Sequence, residues 1–255
     1  MFNRHTLTNI SREYKKDVKT IHKYFDVYED KSEFPDLSKT GKINLMFDGT
    51  YFARNDGYLV FRANNRNIHA IKIKSERIDI IKDQLGLLES KGYEFKSFAI
   101  DGRRGVCKML ETIYPGVPIQ FCQFHQKMII RRYITNNPKL ECSKELKALV
   151  KEMGSMTENN FRIELEKIQK KYDVFLKEKN EKRKFMHKRL RSAFRSLRTN
   201  LPYLFTYKNH LNLGIPNTTN SIESSFSQWK PKVRIHKGLR ADRKDKMILY
   251  LIKSS

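Results

Sequence analysis

The chain has 255 residues, 39% of them apolar and 11% aromatic, which supports one large domain with a small appendage, or two domains, and excludes a disordered chain. Its 52 lysines and arginines against 28 aspartates and glutamates leave a net charge of +24; this points to a polyanionic partner, nucleic acid first, because phosphate contacts release bound counterions. No stretch approaches the roughly 20 apolar residues of a membrane-spanning helix, so no membrane partner is expected.

The basic residues are spread along the whole chain, which weighs against the plainer reading of a basic protein with no such partner. Residues 5–26 read as two short helices, with Leu7, Ile10 and Tyr14 in one apolar stripe and Val18, Ile21 and Phe25 in another. Asp17 suits the N-cap of the second. Residues 1–28 fit a small helix-turn-helix whose second helix offers Lys19, Thr20 and Lys23 to a major groove. The turn carries Lys15 and Lys16 where glycine often sits, and a helical hairpin packed on the main domain fits the same residues equally well. Residues 29–42 are polar, contain Pro35 and Gly41, and read as a linker. The start lacks the apolar core of a signal peptide, and Cys107, Cys122 and Cys142 form no close pair. Reduced thiols and a cytoplasmic, nucleoid-associated protein are therefore expected.

INLMF (43–47) reads as a central strand buried on both faces. GYLVFRA (57–63) and IHAIKIK (68–74) complete an antiparallel meander. A helix over 75–92 follows, with Ser75 as its cap, Ile78, Ile81, Leu85 and Leu88 on one face, and Gly92 at its end. FKSFAI (95–100), a helix over 103–114, VPIQF (117–121) and a helix from Gln123 alternate as parallel strands with crossover helices do. Residues 43–137 therefore predict an α/β fold with a mixed sheet, three antiparallel strands plus parallel ones. From 138 to 212 the pattern is all-helical. Its stripes are Leu146, Leu149, Val150 and Met153, then Phe161, Leu165, Ile168, Tyr172 and Phe175, then Met186, Leu190, Ala193 and Leu197. The opposite face of the last carries Lys184, Lys188, Arg191, Arg195 and Arg198, either a solvated face or a surface that tracks DNA. Residues 213–255 hold a helix near 220–229, a basic loop and a terminal helix.

Asp48 and Asp101 each end a strand-like run, each precedes a glycine, and the pattern makes their strands central neighbours. Functional groups of open α/β sheets sit at the carboxyl ends of strands. Two carboxylates there repel and raise each other's pKa unless a cation lies between them. Hard oxygens with room for water suit Mg²⁺ or Mn²⁺. Either aspartate alone reads as a turn residue; the two together, in so basic a chain, point to metal ligation. A pair of ions calls for a third acid. Glu223 is the candidate, beside the Ile222, Phe226 and Trp229 stripe of its helix, although NSIE (220–223) also matches a capping box with Asn220 as cap. Arg103 and Arg104 after the second aspartate, and Lys230, Lys232, Arg234, His236 and Lys237 in the basic loop, are the expected DNA contacts, with Trp229 read as core.

LMFDGTYF, AIDGRRG…PIQFCQFHQ and NTTNSIESSFSQWKPKVRIHKGL, in that order, resemble the DDE transposases of bacterial insertion sequences in the Mutator-like superfamily. The resemblance runs over 43–135 and 215–252. It implies a ribonuclease H-like catalytic domain interrupted by an all-helical insertion, with Asp48, Asp101 and Glu223 holding two Mg²⁺ or Mn²⁺ ions and Asp48 bridging them. It implies metal-dependent cleavage and strand transfer on double-stranded DNA, at the ends of an insertion sequence, by a homodimer or higher oligomer. It sets the Cys-x-x-His pair near the active centre, His125 contacting or orienting phosphate and Cys122 accessory or core; a packed, hydrogen-bonded core histidine is the alternative. A zinc site at the pair lacks two further ligands. Many similar proteins carry a zinc ribbon ahead of the helix-turn-helix, and this chain starts too late for one, so a truncated element is one expectation. Two other functions fit: a decayed or domesticated DNA-binding protein without catalysis, and a ribonuclease H-like nuclease.

Overall fold

The structure, a computed structural model, describes residues 5–236 and 238–255. The strands are β1 (Ile43–Ala53), β2 (Asp56–Ala63), β3 (Arg66–Ile73), β4 (Phe95–Ile100) and β5 (Ile119–Phe121). Among the described residues they form one five-stranded mixed sheet in the order β3-β2-β1-β4-β5, so the chain is α/β with helices, as the alternation predicts. It divides into two compact units, Met1–Glu94 with Asn220–Ser255, and Phe95–Thr219.

The first unit is built on the antiparallel meander β1–β2–β3. Asn64 and Asn65 join β2 to β3 with φ of 47° and 61°, the left-handed pair that a two-residue hairpin turn requires. β1 outruns its apolar stretch. Thr50, Tyr51 and Phe52 favour extended backbone, and pairing with β2 continues through Thr50 and Tyr51 to Ala53, with a register shift at Phe52. Asp48 therefore lies inside the strand, opposite Val60, and not at its end. A helix α1 (Leu7–Glu13) leads to α2 (Val18–Val27), whose Asp17 cap accepts the Thr20 N–H at 2.8 Å. Ile10, Ile21 and Phe25 are buried in one core with Ile222, Phe226 and Trp229 of α11 (Asn220–Ile235) and Met247, Ile248 and Leu251 of α12 (Ala241–Lys253). Tyr14 leaves the predicted stripe. It sits past the last turn of α1 and is 57% exposed.

α3 (Ile78–Ser90) starts three residues later than Ser75. A tight turn from Arg77 N–H to the Ser75 carbonyl comes first, so Ser75 is too early to cap and Ile78 faces solvent. Ile81, Leu85 and Leu88 are buried, and Gly92, at φ 87°, ends the helix through bonds from Gly92 N–H to Glu89 and from Tyr93 N–H to Leu88.

The second unit pairs β4 with β5 in parallel. Its helices are α4 (Arg104–Ile113), α5 (Gln123–Ile134), α6 (Glu141–Lys151), α7 (Glu158–Lys171), α8 (Asp173–Lys177), α9 (Lys188–Leu204) and α10 (Thr206–Asn209). Leu146, Leu149, Val150, Met153, Phe161, Leu165, Leu190, Ala193 and Leu197 are buried as their periodicity predicts, whereas Met186 precedes α9 and is exposed. Arg191 is not a free surface cation: its guanidinium lies 3.7 Å from the Phe185 ring centre and donates to the Leu176 carbonyl at 2.9 Å.

Three glutamines, Gln120, Gln123 and Gln126, are buried at the join of β5 and α5. Burying an amide is tolerable only when it is hydrogen-bonded. Gln120 and Gln123 both donate to the Leu204 carbonyl at the end of α9, at 3.0 and 2.9 Å. Gln126 donates to Ser196 Oγ (3.1 Å) and accepts from Asn200 Nδ2 (2.8 Å). α9 is thereby fixed against α5. Among the described residues no helix is long and apolar enough to cross a membrane.

Candidate active site

In the first unit, alternation along β1 puts Met46, Asp48 and Thr50 on one face. α11 covers that face: Ser221 Oγ approaches Met46 Sδ at 3.9 Å, and Ile222 and Phe226 share a core with Tyr58 and Val60, the cross-strand partners of Thr50 and Asp48. Glu223 stands in the first turn of α11, half-buried, where the positive end of the helix dipole favours an anion. The helix spans Asn220–Ile235, which keeps Glu223 within its first turn. Asp48 is half-buried, and its carboxylate accepts the Gly49 N–H at 2.9 Å. Thr50 is 1% exposed, and its hydroxyl has no hydrogen-bond partner among the described residues. On the other face Gly49 leaves room for Glu76, since a Cβ there would lie 2.0 Å from the Glu76 carboxylate.

Arg62 anchors this half. It is 3% exposed, a charge buried in β2. Its Nε donates to Asn67 Oδ1 (2.7 Å), and its terminal nitrogens donate to the Ser221 carbonyl and to Ser225 Oγ (2.8 Å). Asn67 in turn donates to the Ile252 carbonyl of α12 at 2.7 Å. Burial holds the Arg62 pKa below the usual guanidinium value, but an arginine keeps its charge. Arg62 thus ties the turn of α11 that carries Glu223 to the strand beside Asp48. Its only sequence signal is one cation inside the apolar run GYLVFRA.

In the second unit, Asp101 follows the last residue of β4 and Cys122 the last residue of β5, both at carboxyl ends of parallel strands. Burial pushes the Asp101 carboxyl up, against the opposing pull of the Arg103 guanidinium, the His125 imidazole and the Arg103 backbone N–H. An aspartate whose anion is disfavoured by its setting gains most from a nearby cation. Cys122 is 1% exposed and takes the cap position of α5, where it accepts the Thr219 N–H at 3.3 Å. Burial raises its thiol, but hydrogen bonds from His125 and Thr219 outweigh that and leave it below an ordinary cysteine. Cys107 and Cys142 go the other way: burial pushes them up to about 11 and about 12. All three are buried free thiols. Cys122 is thus a core residue that is also hydrogen-bonded to the histidine three residues on.

The expected DNA contacts divide. Lys19 and Lys23 are exposed on α2, while Thr20 bonds Asp17 through both its N–H and its hydroxyl. Arg103 occupies the cap position of α4 and Arg104 its first turn. Lys230 and Arg234 line a shallow pocket of about 310 Å³ with Tyr51, Phe52, Val233 and Lys244, and Lys232 is half-buried. His236 is only 5% exposed, because α11 continues to Ile235 and turns it inward; burial holds its imidazole below the usual value. Lys237 lies outside the described residues. Trp229 is 2% exposed, with Nε1 donating to Ser255 Oγ at 3.2 Å.

No protein-family model matches the chain, and no curated protein matches it.

Proposed function

We propose that the protein is a metal-dependent DNA-cleaving and strand-transferring enzyme, a DDE transposase acting on the ends of an insertion sequence, with Asp48, Asp101 and Glu223 as its acidic triad. In this reading the fold is ribonuclease H-like, the helices of 138–212 are an insertion, and α1–α2 are a DNA-reading helix-turn-helix. The observation that carries the reading is Asp101: a carboxylate at the carboxyl end of a parallel strand, in a setting that penalises its charge, within a chain of net charge +24.

The donor set suits Mg²⁺ or Mn²⁺. All three groups are carboxylates, and a divalent cation would relieve the penalty on Asp101. A pair of such ions, when bound, lowers the pKa of a water and neutralises charge on the scissile phosphate. The chain's own residues do the rest. Asp48, on a rigid strand, and Glu223, on the turn held by Arg62, fix the geometry of the first unit. Arg103 and Arg104 hold phosphate oxygens beside Asp101. His125 orients the phosphate while bonded to Cys122. Hydrolysis adds water across one phosphodiester and leaves a 3′-hydroxyl and a 5′-phosphate. Strand transfer joins that hydroxyl to a second phosphodiester and releases its own 3′-hydroxyl.

The test is incubation of the full chain with DNA carrying the element's end, with and without Mn²⁺. Metal-dependent nicking is expected in the wild type. Asp48→Ala should lower its rate by on the order of 10³-fold or more, the scale for losing one member of a group that acts as a unit. DNA binding with no cleavage under any metal condition would identify a DNA-binding protein without catalysis instead.

A further inference from the structure

In the unit Phe95–Thr219 a cleft of about 760 Å³ opens between α5 and α9, with Gly102 and Arg104 also in its lining. Four arginines line it: Arg104, Arg132, Arg189 and Arg195. No carboxylate lines it among the described residues. Lysines outnumber arginines in this chain by 33 to 19, so a quartet made only of arginine is not what its basic composition supplies by default. The difference matters chemically, because the planar guanidinium grips phosphate with two parallel hydrogen bonds where lysine offers a point charge.

The cleft is also built. Ser192, Ser196 and Thr199 recur on the α9 face that carries Arg189, so the helix presents small polar groups between its cations. Arg104 donates to the Thr199 carbonyl, with its guanidinium 5.3 Å from the Tyr203 ring centre. Arg189 donates to the Arg132 carbonyl. Each of these two is held by one bond and keeps further donors for a ligand, which cuts the entropy lost on binding. The buried bonds of Gln126 to Ser196 and Asn200 fix the two walls. Of the outer face predicted on α9 from sequence, only Arg195 belongs to this lining. Gly102, which follows Asp101 directly, is part of the lining, so the cleft comes within one residue of Asp101 along the chain.

We propose that this cleft is a DNA channel: it takes the phosphodiester backbone of one DNA strand and delivers it to Asp101. The identity of the polyanion rests on the function proposed above; the location rests on the cleft alone.

The experiment measures binding of a labelled duplex of roughly 20 base pairs by fluorescence anisotropy in EDTA over a salt series. The full chain is compared with Arg132→Ala/Arg189→Ala/Arg195→Ala, and with Lys167→Ala/Lys170→Ala/Lys177→Ala on α7 and α8, which removes equal charge. The arginine variant should bind about 100-fold more weakly and lose roughly three from the slope of log K against log salt, while the lysine control shifts less than about 3-fold. Arg132→Ala/Arg195→Ala, which keeps the internally bonded Arg189, should lose about two from the slope at an unchanged melting temperature. Equal losses in the arginine and lysine variants would overturn the channel. Tighter binding of single-stranded RNA of the same length than of DNA would overturn its occupant. Cleavage and binding both intact in the arginine variants would sink the channel and spare the catalytic reading. Lost binding in a protein that never cleaves with Mn²⁺ would do the reverse.

Discussion

α12 and the α5–α9 cleft are both rich in basic residues, yet their cations have different fates. On α12, Lys246 donates to the carbonyls of Phe25, Asp26 and Tyr28 at 3.2, 2.9 and 3.0 Å and so closes the end of α2. Arg243 takes both Asp26 oxygens at 2.7 and 2.6 Å, Lys244 reaches Asp56 at 3.2 Å, and Lys253 reaches Asp30 at 3.2 Å. In the cleft Arg104 meets a carbonyl and aromatic rings and Arg189 a carbonyl, and no carboxylate is in the lining among the described residues. A charge run in sequence therefore says little until its acids are located. The excess of +24 is not spread evenly: some cations are bound into the fold by acids and carbonyls, and others line a cleft without a carboxylate among the described residues.

The contrast sharpens into measurements of stability. The largest effect is expected at Arg62. Arg62→Met would remove a hydrogen bond from each of three acceptors and should cost about 3 kcal/mol, a fall of about 6–12 °C in melting temperature for a chain of this size. Arg62→Lys should recover only part, since one ammonium cannot span three divergent acceptors. A melting temperature unchanged in Arg62→Met would show that the buried cation does not hold α11. Next comes Lys246→Met, which leaves three carbonyls at a helix end; about 1–2 kcal/mol should be lost, with faster amide exchange in α2 than in α3. The smallest effect has the opposite sign. Folding raises the Asp101 pKa, so the native state prefers its neutral form. That preference is fully present below the ordinary value of 3.8 and is lost as pH rises through the folded value. Without divalent cations, Asp101→Asn should therefore unfold at a higher urea midpoint than wild type at neutral pH, with the gap closing near about pH 3. A gap that widens toward acid would contradict the burial argument.

Much of the fold was readable because it follows local period and chemistry. β4 spans 95–100 as its apolar run predicts, Asp17 caps α2, Gly92 ends α3, and Trp229 packs as its spacing with Ile222 and Phe226 requires. Some departures are local, since Tyr14 lies past the end of α1 and a tight turn delays α3 to Ile78; those at the candidate site come from neighbours distant in sequence. Asp48 reads as a strand end until β2 is seen to pair beyond it. His236 reads as a DNA contact until α11 is seen to bury it. For the candidate site, residue types gave the names Asp48, Asp101 and Glu223. The burial behind the Asp101 shift, the hold of Arg62 on α11 and the cleft lined from three helices depend on contacts that no local pattern encodes. The triplet spacing of Gln120, Gln123 and Gln126 was the one visible hint that an apolar stretch needed polar partners.

The Leu204 carbonyl, shared by Gln120 and Gln123, has a mechanical consequence. A slide of α9 by one turn would strip both amides of an acceptor at once, so the helix behaves as a clamped lever whose fulcrum is the tip of β5. Load applied along its row of guanidinium groups is carried to the segment where Cys122 begins, and is met there as strain in two amide hydrogen bonds and not as bending of the helix.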